Sequence, residues 1–355
     1  MAAESSLIVR LLKGVGLLSI GLLLLLTAAW GVLALCYFDS VSSPWRLGVA
    51  AGFGTASLGA LIGLALRRWR WRALGAYIVL FALLLAAWST LKPSNDRDWQ
   101  PDVAILPYAT IDGDLVTMHN VRNFDYRTET DFTPAYYDKV YDLKKLDAVD
   151  LVASYWMGPS IAHLFLSFGF GKDHLAMSVE ARKSRNEGYS SIKGFFRQYE
   201  LIYIVADERD VIRVRTNYRK DPPENVYLYR LTGNPGDATR VFLSYVQKIN
   251  ALKAQPEFYN SLTSNCAGTI WMNARVNPDH VPYSWKILLS GYAPEYLYGL
   301  GRLDTRLPFS KLKQQGLINA RAQAADQAED FSQRIRALPT AAAEAESRAT
   351  GAESR

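Results

Sequence analysis

Three long runs without a charged residue dominate this chain. Residues 14–38 run 25 positions, residues 47–66 run 20 and residues 73–91 run 19. About 20 apolar residues cross a bilayer as helix, because only an internally bonded backbone is tolerated in hydrocarbon. The sequence therefore predicts three transmembrane helices within a membrane domain of residues 1–92. The first run is too long, and too well followed by further spans, for a cleaved signal peptide. Arg67, Arg68, Arg70 and Arg72 lie between spans two and three, against Arg46 alone between spans one and two. The positive-inside rule then puts this cluster and the N-terminus, with Arg10 and Lys13, in the cytoplasm. Everything after about residue 92 falls on the far side, in the periplasm or on the outer face of a bacterial inner membrane. Trp88 and Trp99, near the exit from the membrane, suit an interfacial belt. Gly48, Gly52, Gly59 and Gly63 form small-xxx-small pairs in span two, which suit packing on span one or three, or else a homodimer through span two. Cys36 reads as an apolar filler.

Charge divides along the same boundary. The first 92 residues hold eight of the 40 basic and two of the 34 acidic groups, so they carry the whole net charge of +6. The rest is neutral, with 32 of each sign. A nucleic-acid domain needs a basic balance of its own, so no nucleic-acid partner is expected. Two cysteines exclude a disulfide scaffold, and four histidines leave little for a metal site. No Walker A, Rossmann glycine-rich, HExxH or EF-hand pattern is present, and no metal or organic cofactor is expected.

Residues 93–310 change to a mixed polar and aromatic composition, entered through a linker at Asn95–Pro101. Strand composition marks residues 161–168, 175–181, 201–206, 211–215 and 226–231. The first two, joined across Gly169, Gly171 and Asp173, read as a β-hairpin. Val241, Phe242, Tyr245, Val246, Ile249 and Leu252 recur three or four apart, which predicts one buried helix face over 238–253, stopped by Pro256. A second helix starts near Ser264–Asn265, either of which can cap it. Residues 311–355 read as a tail, weakly helical over 320–338 and disordered from Thr340. The mixture is α+β.

Cys266 is the only cysteine of the exported domain, so it has no internal disulfide partner. Its position in the first turn of a helix offers unpaired N–H groups and the positive end of a dipole. Both favour a thiolate, and the same groups can hold an oxyanion. The plainer alternative is a buried structural cysteine. A thiol nucleophile needs a base. Alternation puts His163, Phe165 and Ser167 on one strand face, so His163 is held by regular structure; a core histidine is its alternative. His119 is a weaker rival, and His174 and His280 fall in turns. Across the hairpin His163 lies opposite residues 179–181, with Glu180 the nearest carboxylate and Ser178 one pleat away. Glu180 can orient His163 or pair with Arg182. Asp207-Glu208-Arg209-Asp210, followed by Arg213 and Arg215, reads as a salt-bridged solvated turn. Arg122, Arg182 or Arg215 is the sharper candidate for binding a phosphate or lipid headgroup.

Six stretches then carry a resemblance: Asn120–Tyr126 (NVRNFDY), Ile161–Phe170 (IAHLFLSFGF), Ser178–Tyr189 (SVEARKSRNEGY), Tyr199–Arg219 (YELIYIVADERDVIRVRTNYR), Val226–Leu231 (VYLYRL) and Tyr259–Cys266 (YNSLTSNC). Together they resemble the family of the periplasmic N-terminal domain of Lnb, the lipoprotein N-acyltransferase of some Gram-positive bacteria. They cover roughly residues 103–275. The resemblance implies a membrane-associated thiol enzyme whose Cys falls on Cys266, after Asn265, and whose His falls on His163. The order His-then-Cys is similar to the circularly permuted papain-like fold of lecithin:retinol acyltransferase. The family has two threonines after the Cys, where this chain has Ala267-Gly268, and its main membrane part follows this domain, whereas here three spans precede it. The implied activity is a thiol acyltransferase working on membrane phospholipid and a lipoprotein amine. A cysteine amidase or peptidase acting on cell-wall peptides, and a non-enzymatic envelope protein, are the alternatives.

Overall fold

In a computed structural model the described residues are 2–38 and 43–338. The tail expected from Thr340 lies outside them. The chain divides into two compact units, one running to Pro93 and including Ser190–Gln198, the other comprising Ser94–Tyr189 and the chain from Tyr199 on.

The first unit contains α1 (Ala2–Cys36), α2 (Ser43–Ala65) and α3 (Arg70–Ser89). Each holds a stretch long and apolar enough to cross a membrane: Arg10–Cys36, Pro44–Ala65 and Arg70–Ser89. Most of their apolar side chains face outward, as a lipid solvent allows. Leu24, Ala28, Phe53, Ala60, Tyr77 and Leu84 form the seam between the helices. Thr27 Oγ1 and the Tyr77 hydroxyl meet there at 2.8 Å. Of the four glycines expected to pack span two, Gly63 does so: a Cβ there would sit 2.6 Å from Ala73 Cβ. Gly48, Gly52 and Gly59 have open space beside them. The short helix α4 (Ser191–Gly194) completes this unit.

The second unit is built on a sheet. Its strands are β1 (Tyr108–Asp112), β2 (Leu115–Arg122), β5 (Tyr136–Asp142), β6 (Leu146–Tyr155), β7 (His163–Phe170), β8 (Asp173–Arg182), β9 (Glu200–Ala206) and β10 (Asn225–Arg230). The order is β1-β2-β9-β8-β7-β6-β10, with β5 also on β2, and β3 (Asp125–Tyr126) pairs β4 (Phe132–Thr133) separately. The unit is α+β as expected. Both faces of the sheet are covered, which explains its continuous apolar strands. Leu164, Leu166, Phe168, Met177 and Val179 pack on one side with α6 (Pro235–Ala254) and α7 (Cys266–Ala274). Phe165, Ala176, Ile202 and Ile204 pack on the other with Val211, Ile212 and the C-terminal helices. All six periodic residues of the 238–253 stripe are buried on α6, whose start is closed by a capping box of Asn234 and Asp237. The β7–β8 hairpin turns at Gly171, with φ +69°, and pairs Phe170 with Asp173 through Leu166 with Met177.

Several expectations are corrected. Residues 211–215 are not a strand. They end α5 (Glu208–Arg213) and enter a π-helical turn, Val214–Tyr218. Five residues fit either period, and the acidic first turn after Asp207 favours helix. This cluster is not a solvated turn either, since Glu208, Asp210, Arg213 and Arg215 are all buried. Glu208 and Asp150 share Arg336, at 2.7 and 2.6 Å. Helices at Asn319–Ala324 and Phe331–Arg334 agree with the weak helix expected over 320–338, and Ile318, Ala322, Phe331 and Ile335 are buried against the sheet. Asn95–Pro101 is no free linker: Asn95 bonds Leu252, Lys253 and Arg182, and Trp99 is buried under the Arg182 guanidinium at 4.2 Å. Trp88 is likewise buried, among Trp30, Ala34 and Phe196.

Gly291 shows how tightly the approach to β7 is packed. A Cβ there would lie 2.0 Å from the Pro159 carbonyl oxygen and 2.7 Å from Ser160 C, both backbone. Gly291→Ala should cost about 1–3 kcal/mol by overpacking. Gly299→Ala, which meets nothing within 4 Å, serves as control. Thermal unfolding of both variants in detergent should show a lowered Tm for Gly291→Ala alone.

Candidate active site

Cys266 is the first residue of α7 and His163 the first of β7, so the two meet where a helix begins and a strand begins. Asn265 is the N-cap of α7. Its Oδ1 accepts the Gly268 N–H at 2.8 Å, and its Nδ2 donates to the Ser261 carbonyl at 3.0 Å. Such a cap stabilises a helix by about 1 kcal/mol. Here it also fixes the direction in which the first turn presents Cys266. The Cys266 sulfur interacts with His163 and with the N–H groups of Leu164 and Ala267, all of which favour its thiolate.

On its other side His163 Nε2 lies 2.7 Å from Ser178 Oγ and 3.4 Å from Glu180 Oε1. Ser178 Oγ donates to Glu180 Oε1 at 2.9 Å. An ionised carboxylate only accepts, and a serine has one proton to give. That proton goes to Glu180, so Ser178 accepts from His163 and Nε2 carries a hydrogen. Nδ1 is left for the thiol. Ser178 is fully buried and His163 nearly so, with 11% of its side chain exposed.

Glu180 is held in turn. Arg215 Nη2 donates to Glu180 Oε1 at 3.0 Å, and its Nη1 lies 3.2 Å from Glu224 Oε2. Glu224 also takes Arg219 at 2.6 Å and the Ser154 hydroxyl. These charges alternate in sign, which offsets the cost of burying each.

The electrostatics run in one direction. Burial raises the Cys266 thiol, but His163 and the Leu164 and Ala267 N–H groups overcome it, and the thiol is held below its ordinary value. Burial and Arg215 pull His163 down, but Glu180 and Cys266 outweigh them and hold it above its ordinary value. Burial raises Glu180, yet His163, Arg215 and Arg219 hold it well below the usual carboxylate range. A lowered thiol beside a raised imidazole favours thiolate and imidazolium together.

The second unit also holds a cavity of about 240 Å³. Leu164 and Ala267, whose N–H groups favour the thiolate, are part of its wall. The remaining wall is mainly apolar, with Leu166, Val241, Ile270, Trp271, Ile287 and Leu297. Asp147, Asp237, Asp279, His280 and Arg302 supply polar lining.

Cys266, His163, Glu180 and Asn265 thus come together. Arg122 and Arg182 do not join them. Arg122 Nε and Nη2 donate to Asp210, and its Nη1 donates to the Asp102 carbonyl. Arg182 donates to the Val103 and Ala104 carbonyls and to Asn95. Both guanidinium groups are buried and tie loops to the sheet, which corrects the expectation that they bind a headgroup. Arg215 likewise serves Glu180 rather than a ligand. His119 pairs with Asp138 at 2.6 Å and stacks on Tyr108, away from the cluster. Among the described residues no group of His, Cys, Asp and Glu is arranged to hold a metal. Sequence reasoning noted Ser178 only as a neighbour, although its place two residues before Glu180 on the same strand face was the available signal. It missed the Arg215–Glu180 link, because the helix that aims Arg215 was read as a strand.

The pairing predicts a shifted reactivity profile. Cys266 should alkylate at pH values below the ordinary thiol range, because its thiolate persists as pH falls until the lowered value is passed. Glu180→Gln removes the charge that raises His163, so the profile should move back toward the ordinary thiol range. Rates of iodoacetamide labelling against pH, resolved for Cys266 by peptide mass spectrometry, check this.

Residues 132–291 match the family model of the Lnb N-terminal periplasmic domain. No curated protein and no solved structure matches the chain. His163, Ser178, Glu180 and Cys266 all fall inside the matched segment. Residues 132–291 are thus similar to the Lnb N-terminal periplasmic domain, and three apolar helices long enough to cross a membrane precede them.

Proposed function

We propose that this protein is a membrane-bound thiol acyltransferase of the bacterial inner membrane, with its N-terminus cytoplasmic and its catalytic domain periplasmic. His163 Nδ1 takes the Cys266 proton. The thiolate attacks the ester carbonyl of a membrane lipid, and N–H groups at the start of α7 stabilise the oxyanion. The C–O bond breaks, the leaving alkoxide takes the proton from His163, and the acyl chain remains on sulfur as a thioester. An amine, such as the N-terminus of a lipoprotein, then attacks the thioester carbonyl. It gives its proton to His163, the C–S bond breaks, and an amide leaves. Ser178 and Glu180 keep His163 in the tautomer that presents Nδ1 and stabilise the imidazolium.

One observation carries the choice of a lipid over a peptide substrate. The cavity wall that includes Leu164 and Ala267 is mainly apolar. An acyl chain fits such a lining, whereas a peptide amide requires polar partners for its buried backbone. The Arg cluster between α2 and α3 supports the orientation by the positive-inside rule. Anchoring confines the site to a two-dimensional pool of lipid and so raises its effective concentration.

Intact-protein mass spectrometry after incubation with phospholipid vesicles should show an added fatty-acyl mass that Cys266→Ala loses. An unmodified protein whose Cys266 still alkylates readily would refute the lipid reading and direct the search to peptide amides. Ala274→Trp, which fills the cavity from a half-exposed position, should lower acyl loading about 10-fold or more and leave Cys266 alkylation unchanged. Ser178→Ala should lower both, because the imidazole loses its Nε2 partner.

A further inference from the structure

We propose that Ser190–Gln198 is a lipid-contacting element that seats Ile192 and Phe195 in the interfacial layer of the bilayer. The segment is bound to the membrane helices by three consecutive residues. Phe196 is buried with Ala34 and Trp88, and its ring stacks on Tyr37 at 5.3 Å and lies 6.5 Å from Trp30. Arg197 Nη1 donates to the Trp88 carbonyl at 3.0 Å and lies over the Trp88 ring at 5.6 Å. Gln198 Nε2 donates to the Tyr37 carbonyl at 2.7 Å.

The depth of this attachment follows from helix geometry. Trp88 is the next-to-last residue of α3, and Trp30 stands well before the end of α1 at Cys36. At 1.5 Å per residue, Trp30 lies about 9 Å inside that end. A ring that reaches both tryptophans is therefore level with the apolar part of the spans. The neighbours of this anchor are the exposed ones. Ile192 is 55% and Phe195 43% exposed, although Gly194 between them is buried. Large apolar side chains held outward at that level fit the boundary between headgroups and acyl chains. Trp30, Tyr37 and Trp88 supply the aromatic composition of that boundary, and Lys193 in the same turn supplies a cation for lipid phosphates. The occupant that fits is a phospholipid leaflet.

Site-directed spin labelling tests this without any catalytic readout, so its failure is separate from failure of the acyltransferase reading. Full-length protein carrying Cys36→Ala and Cys266→Ala, with a nitroxide at Ile192→Cys or Phe195→Cys, is placed in vesicles of phosphatidylethanolamine and phosphatidylglycerol. Both labels should collide more with oxygen than with a water-soluble nickel chelate, approaching a label at Leu23→Cys on the lipid face of α1. A water-like signature, equal to that of Lys144→Cys on the exported unit, would overturn the proposal. A photoreactive benzophenone amino acid at position 195 of the otherwise native chain gives a second measure. It should crosslink to phospholipid, and crosslinks to protein alone would overturn the proposal as well.

Discussion

Glu180 is the carboxylate through which the site is joined to the rest of its unit. On one side it accepts from Ser178, which holds His163, which faces Cys266. On the other it accepts from Arg215, which is shared with Glu224 and so with Arg219. With a thiolate and an imidazolium in place, the charges alternate from sulfur to Arg219. In a low-dielectric interior each member would be costly alone, and each is compensated by the next. The tautomer of His163, and with it the nitrogen that faces the thiol, follows from where the Ser178 proton goes. The chemistry proposed for Cys266 therefore depends on an arrangement that reaches back to Arg219.

That dependence makes strand register decisive. A slip of one residue between β7 and β8 would turn Ser178 and Glu180 to the opposite face. Two features oppose a slip. The hairpin closes on Gly171 at a positive φ, and both sheet faces are packed, so every strand residue has a required side. The same two-sided packing brings the polar network and the apolar cavity to one place. Leu164 and Ala267 directly follow His163 and Cys266 in sequence. Both residues line the cavity, and their N–H groups favour the thiolate.

Legibility in the sequence followed the range of the interaction. The membrane helices could be read because hydrocarbon imposes length and composition locally. The α6 stripe and the β7–β8 hairpin could be read because periodicity and a glycine turn are also local signals. Glu180 opposite His163 came from the hairpin, since pairing across one tight turn is nearly local. The failures were long-range. Arg122, Arg182 and Arg215 looked like free cations because their partners lie far off: Asp210 is 88 residues from Arg122, and the Ala104 carbonyl is 78 from Arg182. Val211–Arg215 has strand composition, and the acidic turn that precedes it starts a helix instead. The linker reading failed the same way, because Trp99 is covered by elements remote in sequence.

The sequence by itself determined the three apolar spans, the α+β character, the lone cysteine after them at a capped helix start and the histidine on a neighbouring strand, because each rests on composition, periodicity or a tight turn. Tertiary structure alone decided which arginines are structural, that Ser178 stands between His163 and Glu180, and that Leu164 and Ala267 line an apolar cavity. Those features depend on residues tens to hundreds of positions apart that meet only when both faces of the sheet are covered, and no local pattern encodes the meeting.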